Sequence, residues 1–157
     1  MSVPELINIG EALRTQAAER PDGVALIVPT RRVNGQWRDR RWSWRQINDL
    51  CDRLAGGLQR HGIKPGTRVA FMVPPSMEFF ALFFALFRAG TVPVLIDPGI
   101  GLKPLKNCLD EARPEVFIGV ARAQWARLVL GWARAHVRKT ITLGPRPFGL
   151  GLRYQDL

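Results

Sequence analysis

Apolar and polar positions alternate along this chain in short blocks whose period changes between helix and strand. Ile9, Ala12, Leu13, Gln16 and Ala17 form a helical stripe. Asn8 and Glu11 predict an Asn-x-x-Glu capping box at its start, and Arg20-Pro21 predicts its end. Val24–Val28 is a short apolar run and predicts a strand. Asn34-Gly35 is a two-residue turn signal that pairs residues near Arg31–Val33 with Gln36–Arg41 in an N-terminal hairpin. Ser43 and Gln46 predict a second capping box, with Trp42 and Ile47 placed as a hydrophobic staple. Ile47, Leu50, Cys51, Leu54, Ala55 and Leu58 follow at helical spacing until His61-Gly62, and Lys64-Pro65-Gly66 turns the chain.

The stretch Arg68–Gly101 organises the rest. Arg68–Val73 reads as a buried strand ended by Pro74 and Pro75, and Thr91–Asp97 as a second strand. Between them, Met77–Ala89 is apolar on nearly every face, interrupted by Glu78 and Arg88. A membrane span needs roughly 20 apolar residues. This segment is shorter and bracketed by proline and glycine, so it predicts a core helix, nearly solvent-free if its neighbours are complete. A helix over Leu102–Ala112, with Leu105, Cys108, Leu109 and Ala112 inward, a strand Val116–Val120, a helix Ala121–Ala135 and a strand Lys139–Leu143 follow. Trp125, Leu128, Val129 and Trp132 lie at i, i+3, i+4 and i+7 of the last helix, as a core stripe would. The tail, residues 145–157, is rich in glycine and proline and has no period. Strand and helix alternation predicts an α/β fold: one mainly parallel sheet with right-handed crossovers and helices on both faces. No repeat or long linker divides residues 1–157, so a single domain is expected.

Composition changes this picture little. The 46% apolar and 23% charged fractions are those of an ordinary globular protein. The net charge of +10 comes mainly from arginine spread along the whole chain, a pattern that does not single out nucleic acid as a partner. Two isolated cysteines, Cys51 and Cys108, predict reduced thiols. MSVPELINIG lacks the basic and long apolar regions of a secretory signal, and a cytoplasmic location without a membrane span is expected.

Asp97-Pro98-Gly99-Ile100-Gly101-Leu102-Lys103-Pro104 lies between a strand and a helix, close to the Gly-x-Gly-x-x-Gly cradle for a pyrophosphate. Pro104 replaces the third glycine, and no acidic residue ends a following strand about 20 residues on, so a tight strand-to-helix turn is the preferred reading. Arg31, Arg32, Arg38, Arg40, Arg41 and Arg45 interleave with Trp37, Trp42 and Trp44, a composition that can stack and charge-pair with single-stranded nucleic acid. The preferred reading is a twisted hairpin with a solvated arginine face. His61 and His136 stand alone near helix ends, where the helix dipole favours them. Lys103 and Lys106 near a helix start fit a solvated face, and Ser2, Ser43 and Ser76 lie in no nucleophile motif. No cluster with metal-ligand spacing is present.

WSWRQINDLCDRLAGGLQRHGIKPGTRVAFMVPPSMEFFALFFALFRAGTVPVLIDP resembles the N-terminal region of the AMP-forming adenylating enzymes. Trp42–Asn48 is similar to their early strand-to-helix motif, and Leu86–Pro98 to their Leu-x-x-Ala-Gly-x-x-x-x-x-x-Asp-Pro motif. The continuation LIDPGIGLKPLKNCLDEARPEVFIG most resembles the branch of olefin β-lactone synthetases, also called fatty-acyl-CoA ligases. The resemblance runs from about Ile7 to Leu143. It implies a full enzyme that uses ATP and Mg²⁺ to turn a fatty or β-hydroxy fatty acid into an acyl-adenylate, then a β-lactone or a coenzyme A thioester. The family's Ser/Thr/Gly-rich phosphate loop, its adenine and ribose motifs and its C-terminal lid with the catalytic lysine are not found in these residues. The matched motifs are scaffold motifs, so no catalytic, cofactor-binding or metal-binding residue is assigned to a position here. The expectation is a partial N-terminal domain of the adenylate-forming fold, inactive and without a cofactor by itself, whose partner is the missing C-terminal part. The alternative is a non-catalytic interaction module that binds a synthetase or nucleic acid through Arg31–Arg45.

Overall fold

The computed structural model describes residues 8–33 and 36–157. Asn8 caps α1 (Ile9–Glu19) through its side-chain oxygen, which accepts from the Gly10 amide at 2.8 Å. The predicted box does not close: Glu11 turns instead to Arg14, 3.0 Å away. β1 (Val24–Val33) pairs antiparallel with β2 (Gln36–Ser43). The short apolar run at Val24 and the hairpin arm at Arg31 are thus one strand. It is broken by irregularities, one of them beside Pro29, which has no amide hydrogen for the ladder. The predicted turn residues Asn34 and Gly35 lie outside the described residues. At α2 (Trp44–Arg60) the Ser43–Gln46 box closes in both directions, at 3.3 and 2.9 Å.

β3 (Arg68–Met72), α3 (Met77–Arg88) and β4 (Val92–Leu95) form the central unit. α4 (Leu102–Ala112), β5 (Val116–Val120), α5 (Ala121–Leu130), β6 (Lys139–Leu143) and β7 (Leu152–Arg153) follow. The strands make one sheet in the order β4-β3-β5-β6-β7, every neighbouring pair parallel. Alternate residues of each strand face opposite layers, the period-2 pattern of a sheet covered on both sides. Val69, Phe71, Val116, Ile118 and Ile141 join one core with α1, α2 and α3. Ala70 and Phe117 join the other with Leu105 and Leu109 of α4, Ala123 of α5, and Trp132.

Several expectations need correction. β4 is shorter than Thr91–Asp97 and lies at the sheet edge, where Val92 and Leu95 are exposed. α3 is not solvent-free in this chain. Ala81, Leu82, Ala85 and Leu86 are buried, but Phe80 is exposed and the Phe79–Phe83–Phe87 ladder is half-covered, with Phe79 and Phe83 packed at the margin of the main core. Cys108 is exposed rather than inward. α5 stops at Leu130, where Gly131 adopts a left-handed conformation, and its inward residues are Ala123 and Gln124. Trp125, Leu128 and Val129 point outward, and Trp132 is buried from the turn after the helix. The tail is not irregular throughout: β7 pairs with β6, and Leu152, Tyr154 and Leu157 pack on the main core. Among the described residues no helix is long and apolar enough to cross a membrane.

Candidate functional site

The strand order reverses between β3 and β5, because β4 is added on one side of β3 and all later strands on the other. Crevices for ligands form outside the carboxyl ends of parallel strands at such a reversal. Here the crevice has a volume of about 300 Å³, with Val73, Val120 and Leu143 as its apolar floor and Ser76, Glu78, Tyr154 and Gln155 around its rim. Local chemistry puts them there. Pro74 and Pro75 end the strand, and the Ser76 hydroxyl accepts from the Phe79 amide at 3.1 Å to start α3. Glu78 thereby falls in the first turn of α3, facing Tyr154 of the tail. Burial, and then the charge of Glu78, pushes the Tyr154 phenol up to about 12, so it remains a neutral hydroxyl. An apolar group with a hydrogen-bonding end suits this crevice. The negative charge of Glu78 at its rim opposes a polyphosphate.

The larger cavity, about 480 Å³, lies at the amino end of β6 and along β7. Its walls include His61, Arg127, Arg138 and Lys139 and no acid. Position in the fold favours the smaller crevice as a substrate site, since the larger one is away from the strand reversal.

The Asp97–Gly101 turn is already filled by its own chemistry. The Asp97 carboxylate accepts from the Gly99 amide at 2.8 Å and caps a short 3-10 turn over Pro98–Ile100. A phosphate would compete for that amide beside a negative charge. Among the described residues no group of three or more His, Cys, Asp or Glu side chains could hold a metal ion.

The arginine and tryptophan hairpin has internal uses. Trp42 and Trp44 pack on the core, the Arg40 guanidinium lies 4.4 Å from the Trp42 ring centre, and Arg20 lies 5.4 Å from that of Trp44. Arg45 pairs with Asp22 at 3.6 Å. The side chains of Arg31, Arg32 and Trp37 lie outside the described residues. His61 caps the end of α2 with its ring 3.1 Å from the Asp156 carbonyl, and His136 follows α5 apart from it. Lys106 pairs with Asp110, whose carboxyl is held below the usual range chiefly by that bond, while Lys103 is exposed.

Sequence reasoning missed the residue that ties the two scaffold motifs together. Arg88 is 5% exposed, and its guanidinium donates to the Asn48 carbonyl at 3.2 Å, the Asn48 side-chain oxygen at 3.0 Å, Asp52 at 2.8 Å and the Gly10 carbonyl at 2.9 Å. It therefore joins Trp42–Asn48 to Leu86–Pro98 and pins α1, α2 and α3 together. A lone arginine in an apolar helix is the signal that could have found it. Gln124 was also missed: its side-chain amide, buried under α5, donates to the Ile141 carbonyl at 3.1 Å and bridges toward Phe117. At Gly90 φ is +71°, and a Cβ there would lie 3.1 Å from Pro65, so the turn after α3 meets the α2–β3 loop closely with glycine.

The family model for AMP-binding enzymes matches residues 13–150. This chain belongs to the AMP-binding enzyme family. Within that family it is 49% identical over 142 residues to an olefin beta-lactone synthetase of Stenotrophomonas maltophilia, covering 88% of this chain and 26% of the relative. Identity to the olefin beta-lactone synthetase of Xanthomonas campestris pv. campestris is 48% over 143 residues, covering 90% and 26%. The chain thus spans about a quarter of the length of these relatives. A solved Mycobacterium tuberculosis fatty acyl CoA synthetase superposes with a TM-score of 0.72 at 29% identity, over 87% of this chain and 26% of that one. An anthranilate CoA ligase in complex with anthranoyl-AMP shares the fold, with a TM-score of 0.81 at 19% identity, over 98% and 28%. The parallel sheet with its two helix layers is the N-terminal part of the adenylate-forming fold.

Titration of the buried hydroxyl and thiol gives an alkaline test of the core. Burial pushes the Cys51 thiol up to about 12, and its hydrogen bonds to the Ala81 carbonyl at 3.4 Å. Both Cys51 and Tyr154 have folded pKa values raised above the unfolded ones. Their contribution is therefore complete below about pH 9 and is lost as pH rises toward 12. Urea midpoints are expected to fall over that range, by at most about 1.4 kcal/mol per pH unit for each group. Cys51→Ala is expected to flatten the slope, and an unchanged slope would refute this assignment.

Proposed function

We infer that this chain is the N-terminal scaffold of an ATP-dependent ligase that activates a fatty or β-hydroxy fatty acid as its adenylate. In the branch it most resembles, the acid's own hydroxyl would then close on the activated carbonyl to give a β-lactone; transfer to coenzyme A is the other outcome. The observation that carries this reading is the 49% identity to an olefin beta-lactone synthetase over 88% of the chain. The chain's own contribution is architectural. Arg88 ties α3 to α1 and α2 through the Gly10 and Asn48 oxygens, and the ends of β3 and β5 border the crevice at Val73 and Val120. Carboxylate activation needs donors aimed at the phosphates and groups that hold the nucleotide. The Gly99 amide is committed to Asp97, which supports the reading that residues 1–157 are inactive by themselves.

The test is exchange of labelled pyrophosphate into ATP with a panel of fatty and β-hydroxy fatty acids. Residues 1–157 are expected to give none. A fusion to the remaining part of the Stenotrophomonas maltophilia relative is expected to restore exchange, with product analysis in the presence and absence of coenzyme A separating thioester from lactone. Exchange by the lone chain above a Gly99→Val, Gly101→Val control would overturn both the inactivity and the structural reading of the turn. A correctly folded fusion that fails to exchange with any acid would overturn the ligase reading.

A further inference from the structure

The helical stripe of α5 faces away from the sheet it was expected to cover. Trp125, Leu128 and Val129 are all exposed, Val129 at 77%. The segment after β6 adds to the same face: the Phe148 ring lies 4.7 Å from that of Trp125 and is itself 73% exposed. Phe148 is held there at φ +51°, a conformation unfavourable for a side chain of its size. Two neighbouring polar groups are also incomplete. Arg127 is partly buried, which lowers its pKa, and among the described residues it is partnered by the Gln124 oxygen at 3.5 Å and the face of Phe117, with no carboxylate. The Thr142 hydroxyl is buried with no partner among the described residues and lines a gap of about 20 Å³ beside Arg127. That gap has room for a single water. No acid lines this gap or the adjoining 480 Å³ cavity, where Arg138 and Lys139 also stand.

An apolar centre beside a guanidinium that lacks a counter-charge describes half of an interface, because a half-buried cation without an anion is costly. The relatives supply the occupant: about three quarters of their length lies outside the region matched here. We propose that the face made by α5 and residues 147–152 is the docking surface for the remaining part of the ligase, which covers Trp125, Leu128 and Phe148 with apolar side chains and brings a carboxylate to Arg127. This rests on the ligase reading above and goes beyond it in naming the surface and the chemistry of what covers it.

The experiment adds the remaining three quarters of the Stenotrophomonas maltophilia relative, as a separate chain, to residues 1–157 and follows backbone hydrogen exchange of the shorter chain. Protection is expected over 121–130 and 147–152. Val129→Asp, at a position open to water, is expected to leave the fold of the short chain intact and weaken binding at least tenfold. Arg127→Met is expected to weaken it tenfold and to remove most of its salt dependence. Protection confined to the aromatic side of α3 or to the β4 edge would overturn the assignment while leaving the ligase reading in place. So would failure to bind, provided that the single-chain fusion exchanges pyrophosphate. Failure of binding together with an inactive, folded fusion would remove both. Protection of α5 that grows with the short chain's own concentration, without the added part, would assign the face to a second copy and overturn the proposal.

Discussion

Replacing Arg88 with methionine is expected to lower the stability of the chain by about 3 kcal/mol. The buried guanidinium donates to three carbonyl-type oxygens and to Asp52, and bonds from a charged donor are each worth roughly 1.5–3 kcal/mol. Several of these bonds act on one rigid group, so the sum is not additive. Its Nε has no partner among the described residues, which offsets part of the gain. Methionine keeps the apolar stem and so isolates the loss of the head group. Asp52 is 44% exposed and can be rehydrated when Arg88 is gone. The Asn48 and Gly10 oxygens are the ones left wanting. Asp52→Asn is expected to cost much less, about 1 kcal/mol, because it removes charge and keeps an acceptor. Urea unfolding followed by circular dichroism measures both. A change below about 0.5 kcal/mol for Arg88→Met would show that the three helices are held by apolar packing alone.

The second large effect is expected at Gly151. It stands at φ +75° just before β7, and an added Cβ would lie 2.8 Å from the Thr140 carbonyl oxygen, with the Thr140 hydroxyl closer still. Arg146 also donates to the Gly151 carbonyl, at 2.6 Å. Valine there carries the left-handed penalty of about 1–2 kcal/mol and cannot keep the register of β7 on β6. The tail is expected to detach, taking Leu152, Tyr154 and Leu157 from the core. Partial loss of their burial brings the total to about 2–4 kcal/mol. Native-state trypsin cleavage after Arg153 is expected to accelerate at least tenfold, and the urea midpoint to fall. Unchanged cleavage would mean that β7 contributes nothing to holding the tail.

Local sequence was sufficient wherever one segment's own chemistry decides its structure. The Ser43–Gln46 box and the proline stop after β3 follow from neighbours within a few residues, and the parallel sheet was legible because strands and helices alternate in the order of the chain. The Asp97 turn belongs here as well, because the carboxylate that fills it is two residues away. Family membership was legible for the same reason, since its motifs are contiguous words of sequence.

What needed the tertiary structure is whatever depends on groups far apart in the chain. A residue that is apolar on one side of a helix and amidic on the other can face either way. Gln124 turns inward because two strand carbonyls await its amide, and that rotation sends Trp125, Leu128 and Val129 to the surface. The tail carries no period, yet two residues pair with β6 once β6 is in place. Arg88 looked like an interruption in an apolar helix until folding brought Asn48, Asp52 and Gly10 around it, from 36 to 78 residues away. Periodicity records the local preference of each segment; which face is covered, and by what, is fixed by partners that only the folded chain assembles.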